Sequence, residues 1–145
     1  MNGYMGFTHD CYQTDLEDEG LKNSYEVFRE FEAGKLGWVD LLFLQNSHRI
    51  AVEVEMRSRL HRIALNIEKA KSEEVCATEL WLICPHRNVI NSINLVLAKL
   101  ENDQESLPIY LLLKHQAIKR LNDISTAPWG EERRLVEEDM GRRGD

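Results

Sequence analysis

The chain has 145 residues, of which 43% are hydrophobic, and it carries a formal net charge of −7. This length and composition predict one globular domain that buries a continuous core. Because no apolar run reaches the roughly 18 to 20 residues of a membrane helix, and the first residues lack a signal-peptide pattern, we expect a soluble, cytoplasmic protein. The three cysteines show no metal-type spacing and are expected to be free thiols.

Charge is distributed unevenly along the chain. Residues 1–34 contain eight acidic and two basic residues, whereas residues 49–71 contain six basic and three acidic ones. The negative total argues against nonspecific coating of nucleic acid, because affinity for phosphates grows with the number of Lys and Arg contacts. The basic segment is therefore either a local surface for a phosphate ligand or a solvated helix face.

A helix and a strand are predicted before the first turn. Residues 8–22 favour a helix with Tyr12 and Leu16 on one side. Side chains in residues 25–32 alternate in character, which is typical of a strand. Two glycines, Gly34 and Gly37, then predict a turn into the next element.

The next segment is predicted to be a β-hairpin. Residues 39–44 and 50–56 are rich in β-branched and large apolar side chains. The polar residues 45–48 between them predict a turn. Asp40 stands near the start of the first strand, and Glu53 and Glu55 are predicted to lie inside the second.

These three acids are candidates for a metal site. Residues two apart on a strand share a face, so Glu53 and Glu55 are expected to project together. Carboxylates inside apolar strands are strongly destabilised by desolvation unless a group compensates, and a divalent cation is a natural compensator. The alternative is that all three acids are solvated residues of an edge strand.

Residues 58–74 predict a helix with two distinct faces. The apolar face recurs at helical spacing and comprises Leu60, Ile63, Ala64, Ile67 and Ala70. A polar face comprises Arg59, Arg62, Asn66 and Lys69. Because the polar face begins four residues after Glu55, it is expected either to lie over the carboxylates or to be an ordinary solvated surface. For Lys69 alone, an exposed position is the more common alternative.

The second half of the chain predicts a strand over residues 79–84, a helix over 89–100 and a strand over 107–113. This spacing is typical of a βαβ unit with a parallel pair of strands. The summed order is αβββαβαβ, which predicts an α/β fold with a mixed central sheet flanked by helices. Residues 114–145 predict a short helix and a polar tail, either within the same domain or partly disordered, and no chemistry is assigned to them.

The acidic hairpin and the order of elements resemble the PD-(D/E)XK nuclease superfamily, which has the restriction-endonuclease-like fold. Its signature is an Asp that opens one strand and a Glu-x-Lys in the next. Asp40 takes the place of the Asp and Glu53 that of the Glu. Val39 replaces the weakly kept Pro, and Glu55 replaces the Lys. Some restriction enzymes of the superfamily carry Glu at this place and remain active.

This resemblance implies a Mg²⁺- or Mn²⁺-dependent endonuclease that hydrolyses phosphodiester bonds in DNA, with residues 1–113 as its core domain. The implied cation ligands are Asp40, Glu53 and the backbone carbonyl of Val54. Several members of the superfamily add an acidic residue from the first helix or strand. Glu30 and Glu26 are the better candidates here and Glu17 and Glu19 the poorer ones.

The remaining implied roles concern charge and DNA contact. Glu55 would bind a second cation or accept the proton of the attacking water, and Lys69, or failing that Asn66, would take the place of the missing motif Lys. The predicted DNA contacts are Arg57, Arg59, Arg62 and Asn66. His9 stands at the start of the first predicted helix and is weighed as a surface residue against one that approaches the substrate.

Two other functions stay open. The same fold with a degraded site would serve as a noncatalytic DNA-binding or assembly subunit, which the absent motif Lys and the acidic surface favour. Solvated carboxylates would instead indicate a plain protein-interaction module that binds no cation. A homodimer is expected by analogy, because many proteins of this fold dimerise to cut two strands.

Overall fold

The structure is a computed structural model that describes residues 3–100 and 107–126. Its helices and strands follow one another as α1 (Gly3–Lys22), β1 (Glu26–Glu32), β2 (Trp38–Gln45), β3 (His48–Val54), α2 (Leu60–Lys71), β4 (Glu79–Cys84), α3 (Arg87–Leu100), β5 (Ile109–Leu113) and α4 (Lys114–Thr126). The predicted α/β class, with a mixed sheet flanked by helices, is confirmed. Among the described helices, none has the length and apolar character needed to span a membrane.

The five strands form one sheet in the order β1-β2-β3-β4-β5. β2 runs antiparallel to both of its neighbours, β1 and β3, and β4 and β5 run parallel to β3. Gln45 pairs with His48, so the hairpin closes through a two-residue turn in which Asn46 has φ 54°. Asn tolerates this left-handed conformation better than most residues, and the predicted hairpin is confirmed.

Helices cover both faces of the sheet. The core on one face is formed with α2 and α3 and includes Ala51 of β3, Ile63 and Ile93. The core on the other face is formed with α1 and α4 and includes Val52 and Leu121. Because side chains alternate along a strand, Glu53 lies on the same face as Ala51 and is directed towards α2.

Close packing of α1 on this second face explains a glycine within the helix. A Cβ atom added to Gly20 would lie 2.4 Å from the ring of Phe43 on β2. Real Cβ atoms do not approach other heavy atoms so closely. Gly20 therefore allows the helix to lie directly on the sheet.

Several element boundaries differ from the predictions, and those of β3 and α2 bear on the candidate site. β3 ends at Val54, so Glu55 lies just beyond the strand, although its amide still donates to the Ile83 carbonyl oxygen at 2.8 Å. α2 spans Leu60–Lys71 instead of residues 58–74. Leu60 is 51% exposed and does not belong to the buried face, because it is the first residue of the helix and lies outside the sheet contact.

Two other predictions concern the cysteines and the C-terminal part of the chain. All three cysteines are free, as predicted. α4 follows β5 directly and packs in the second core, where the Tyr25 hydroxyl donates to the Leu121 carbonyl oxygen at 3.2 Å. The predicted polar tail, residues 127–145, lies outside the described residues.

Candidate active site

The candidate site begins at an interruption of the β1–β2 ladder. Arg29 pairs with Leu41 and Phe31 with Val39, but Glu30 and Asp40 between them form no pair. Glu30 has φ 57°, which is uncommon for a residue with a side chain. Because of this interruption Asp40 does not pair with β1. Its amide and its carboxylate instead form hydrogen bonds with residues of β3.

Asp40 is anchored by hydrogen bonds from two parts of the chain. Its Oδ2 atom accepts from the Val54 amide at 2.8 Å and from His9 Nε2 at 3.0 Å. Burial alone would raise the pKa of Asp40, but the bonds from His9, Val54 and the Glu53 side chain prevail and lower it. The hydrogen bond to Asp40 in turn raises the pKa of His9. Asp40 is therefore an ionised acid held in one position.

Glu53 lies beside Asp40 and is almost completely buried. Its Oε1 atom accepts from the Asp40 amide at 3.4 Å, and its Oε2 atom lies 3.1 Å from Lys69 Nζ. Burial, followed by the negative charge of Asp40, raises the pKa of Glu53 to about 8. The two carboxyl groups thus form a close pair in which Asp40 holds the charge more readily than Glu53.

Lys69 brings a positive charge to this pair. The residue is only 4% exposed, so the alternative of an ordinary exposed helix lysine is wrong. Lys69 Nζ donates to the Trp38 carbonyl oxygen at 2.7 Å while it contacts Glu53. The end of α2 is thereby fixed to both strands that carry the acids.

Glu55 lies next to the pair but has partners of its own. Asn66 Nδ2 donates to Glu55 Oε2 at 2.8 Å, and both residues are buried. Burial raises the pKa of Glu55, and the charge of Arg62 and the bond from Asn66 partly offset that increase. Asn66, a predicted DNA contact, is instead fully buried against Glu55, so its side chain has no surface for a DNA contact.

The other predicted DNA contacts lie nearer to solvent. Arg57 and Arg59 are exposed on the segment between β3 and α2, and Arg62 is half-buried beside Glu55. These three arginines, which follow the end of β3 in the chain, are called the basic rim. Their positions are compatible with phosphate contact, which stays a prediction.

Of the four N-terminal acids that were candidates, Glu30 shares a hydrogen-bond partner with Asp40. Gln13 is buried on α1 and joins them, because its Nε2 atom donates to Glu30 Oε2 at 2.7 Å and to the Asp40 carbonyl oxygen at 3.1 Å. The other three lie elsewhere: Glu17 pairs with Arg29, Glu19 pairs with Lys22, and Glu26 is exposed at the far end of the β1–β2 ladder.

Sequence reasoning missed Gln13 and gave His9 little weight. Both residues contact Asp40, one through its carbonyl oxygen and the other through its carboxylate. They lie four residues apart on α1, which is the spacing of neighbours on one helix face. That spacing was the available signal, since a polar pair on the face that packs against a sheet needs partners.

Whether this site fits a metal ion depends on its free oxygen atoms. Glu53 Oε2 touches Lys69 but accepts no well-formed hydrogen bond, and the buried Asn66 Oδ1 atom has no hydrogen-bond partner. Among the described residues there is no group of three or more His, Cys, Asp or Glu side chains suited to hold a metal ion. Mg²⁺ retains several waters and relies on substrate phosphates, so it needs fewer protein carboxylates than a Ca²⁺ cage, and Asp40 and Glu53 are the residues that would hold it.

The chain was compared with protein families, curated proteins and solved structures. No family model, no curated protein and no solved structure matches the chain. Any functional interpretation therefore depends on the residues and the sheet topology described above.

The buried acid pair predicts an unusual dependence of stability on pH. Since the pKa of Glu53 is about 8 in the folded chain and 4.5 ordinarily, the folded state binds more protons between these values and stability falls as pH rises. We expect Glu53→Gln to remove this loss, which is on the order of a few kcal/mol by pH 8 and absent near pH 4. Thermal unfolding of both proteins from pH 4 to 9, with EDTA present, measures the difference.

The matched control is Glu68→Gln, because Glu68 is an exposed glutamate on the same helix as Lys69. Its pH profile should follow that of the unmodified chain. Parallel profiles for Glu53→Gln and the unmodified chain would contradict the assignment of Glu53 as a buried, proton-retaining acid.

Proposed function

We propose that this protein is a Mg²⁺- or Mn²⁺-dependent endonuclease of the PD-(D/E)XK superfamily that hydrolyses phosphodiester bonds in DNA. One observation carries the proposal: Asp40, Glu53 and Lys69 converge at one point. The Asp40 amide lies 3.4 Å from Glu53 Oε1, and Lys69 Nζ lies 3.1 Å from Glu53 Oε2. Two acids and one ammonium group in contact are the set of charges that this chemistry needs.

The sheet topology supports the same proposal. Asp40 and Glu53 lie on β2 and β3 of an antiparallel hairpin, α2 follows, and β4 then runs parallel to β3. This arrangement is the one expected if the chain has the restriction-endonuclease-like fold. Fold alone does not establish activity, so cleavage is proposed from the residues of the site.

Lys69 answers the main objection to the resemblance, which is that Glu55 stands where the motif has Lys. Lys69 approaches the acids from α2 and is held there by the Trp38 carbonyl oxygen. Glu55 turns instead to Asn66 and Arg62. The positive charge is thus still present at the pair, although it comes from the following helix.

In this proposal Asp40 and Glu53 would hold Mg²⁺ or Mn²⁺, and the cation would supply polarisation of the scissile phosphate and a lower pKa for its water. Lys69 offsets the negative charge that develops on the phosphate oxygens in the transition state. Glu55, with its raised pKa, accepts the proton of the attacking water. His9 and Gln13 keep Asp40 in position, and the exposed arginines of the basic rim bind flanking phosphates.

A cleavage assay tests the proposal directly. The full chain is incubated with Mn²⁺ or Mg²⁺ and with supercoiled, linear duplex, single-stranded or branched DNA, and EDTA serves as the blank. We expect Lys69→Met to slow cleavage by about 10²- to 10³-fold, which is typical of losing one group that stabilises transition-state charge. Lys71→Met, at an exposed lysine of the same helix, is the matched control and should cut at the unmodified rate.

Absence of cleavage of every DNA form with either cation would overturn the proposed activity. Equal loss in Lys69→Met and Lys71→Met would overturn the role of Lys69. In both cases circular dichroism of the variants shows whether the fold is retained.

One observation favours the second function, a noncatalytic nuclease-fold subunit. Each of the three acids already has partners from within the chain: Asp40 has His9, Glu53 has Lys69, and Glu55 has Asn66. Such a network can be structural. Calorimetric titration with Mn²⁺ separates the two functions, since a noncatalytic subunit should give no heat of cation binding and still bind DNA.

A further inference from the structure

Trp38 is an exposed aromatic residue beside the candidate site. Its residue surface is 53% exposed, and it lies on β2 two residues before Asp40. Its carbonyl oxygen accepts the hydrogen bond from Lys69 Nζ, which itself contacts Glu53. The indole is therefore attached to backbone that is fixed by the site, while much of the side chain faces solvent.

The charges on either side of the site differ. Glu32, which pairs with Trp38 across the β1–β2 ladder, and Glu30 are exposed and acidic. Arg57 and Arg59, by contrast, are exposed on the segment that follows β3. One phosphate backbone can follow the basic rim, but a second backbone on the Trp38 side would meet the carboxylates of β1 and be repelled.

This asymmetry suits a single strand better than a duplex. Bases of an unpaired strand have free faces and stack on exposed aromatic rings without regard to sequence. In a duplex the same faces are occupied by neighbouring base pairs. Lys35, exposed in the turn before Trp38, would add one phosphate contact beside a base stacked there.

We infer that Trp38 is a specificity-determining residue that stacks on an unpaired base next to the scissile phosphate, so that the substrate is single-stranded DNA or a DNA with an unpaired segment. The inference rests on the proposed function, and it names the substrate class of the same site. Trp38 acts on substrate choice and takes no part in proton transfer or in binding the cation.

The test is a binding measurement that needs no cleavage. Fluorescence anisotropy of labelled oligo(dT) and of a duplex of equal length is measured at low salt with EDTA present. We expect Trp38→Ala to weaken binding of oligo(dT) by roughly 5- to 150-fold, the range for loss of one base–aromatic stack, and to leave duplex binding within about twofold. Trp38→Phe should retain most of the affinity, because a ring is still present.

Two further readouts make the result specific. Oligo(dT) should quench tryptophan emission in the unmodified chain, and this quenching should be largely lost in Trp38→Phe. Leu95→Ala is the control, because Leu95 is 68% exposed on α3 and lies away from the site, so its oligo(dT) binding should not change.

Failure of the inference is distinguishable from failure of the proposed function. If the protein cuts DNA but Trp38→Ala weakens oligo(dT) and duplex binding equally, or weakens neither, the role of Trp38 is refuted and the nuclease stands. If Trp38→Ala selectively weakens oligo(dT) binding but no DNA is cut, the binding site stands and the nuclease activity is refuted.

Discussion

Asp40→Asn is expected to abolish Mn²⁺ binding and to slow DNA cleavage by about 10³-fold or more, the effect of losing the transition-state charge stabilisation that a bound cation supplies. The substitution removes the more readily ionised acid of the pair. An amide oxygen can still accept the hydrogen bond that the Val54 amide donates to Asp40 Oδ2, so we expect the fold to be retained. Calorimetric titration with Mn²⁺ and the cleavage assay measure the two losses.

The effect of this substitution on stability should be small, because two changes oppose each other. The lowered pKa of Asp40 means that its ionised form stabilises the fold above the ordinary carboxyl pKa, and Asn lacks this contribution. Removing the charge of Asp40 also removes one of the causes that raise the pKa of Glu53, which relieves the cost of ionising Glu53. Circular dichroism and the melting temperature at pH 7 check this expectation.

Asp18→Asn is the matched control, because Asp18 is exposed on α1 and the change in formal charge is the same. It should bind Mn²⁺ and cleave DNA at the unmodified level. If Asp40→Asn binds Mn²⁺ as tightly as the unmodified chain, Asp40 is not a cation ligand and the proposed mechanism is refuted.

Arg120→Leu should have the largest effect on stability, a loss of about 3–5 kcal/mol, because it leaves a buried charge without its partner. Arg120 is 1% exposed, and its Nη2 atom donates to Glu79 Oε1 at 2.7 Å. Its guanidinium carbon lies 3.9 Å from the centroid of the Tyr110 ring and 5.2 Å from that of Trp81. Urea unfolding followed by circular dichroism measures the loss.

A double substitution separates the unpaired charge from the lost packing. Trp81 Nε1 also donates to Glu79 Oε1, at 2.6 Å, so Glu79→Gln keeps an acceptor for the indole while it removes the negative charge. We expect Arg120→Leu/Glu79→Gln to recover a substantial part of the stability that Arg120→Leu loses. Equal destabilisation of the single and the double variant would attribute the whole effect to packing.

Lys119→Ala provides the surface comparison on the same helix. Lys119 forms an exposed ion pair with Asp123 one helical turn away, so its removal should change the free energy of unfolding by no more than about 0.5 kcal/mol. Arg120 lies on the face of the sheet opposite Glu53, so Mn²⁺ affinity per folded molecule should be unchanged in all three variants. An unfolding midpoint for Arg120→Leu equal to that of the unmodified chain would contradict the prediction.

The periodicity of the sequence was enough to predict most elements of the fold. Alternation identified β1, and runs of apolar and β-branched residues identified the hairpin strands and β4. The recurrence of Ile63, Ile67 and Ala70 identified the buried face of α2, and all three residues are buried. The boundaries of the elements were predicted less accurately, as Leu60 shows. The ends of a helix depend on the other elements against which it packs. The homodimer and the cytoplasmic location stay predictions.

By itself, the sequence determined that Asp40 and Glu53 would lie on the adjacent strands of a hairpin, because turn residues and β-branched runs act between near neighbours. Only the tertiary structure decided which groups surround them. His9 and Asp40 are 31 residues apart, and so are Lys69 and Trp38, so these contacts depend on how α1 and α2 pack on the sheet. Glu30, one of four candidate acids, likewise stands out only in the structure, where the β1–β2 ladder is interrupted and Glu30 has φ 57°. No local sequence pattern encodes the direction of a side chain in such an irregular strand.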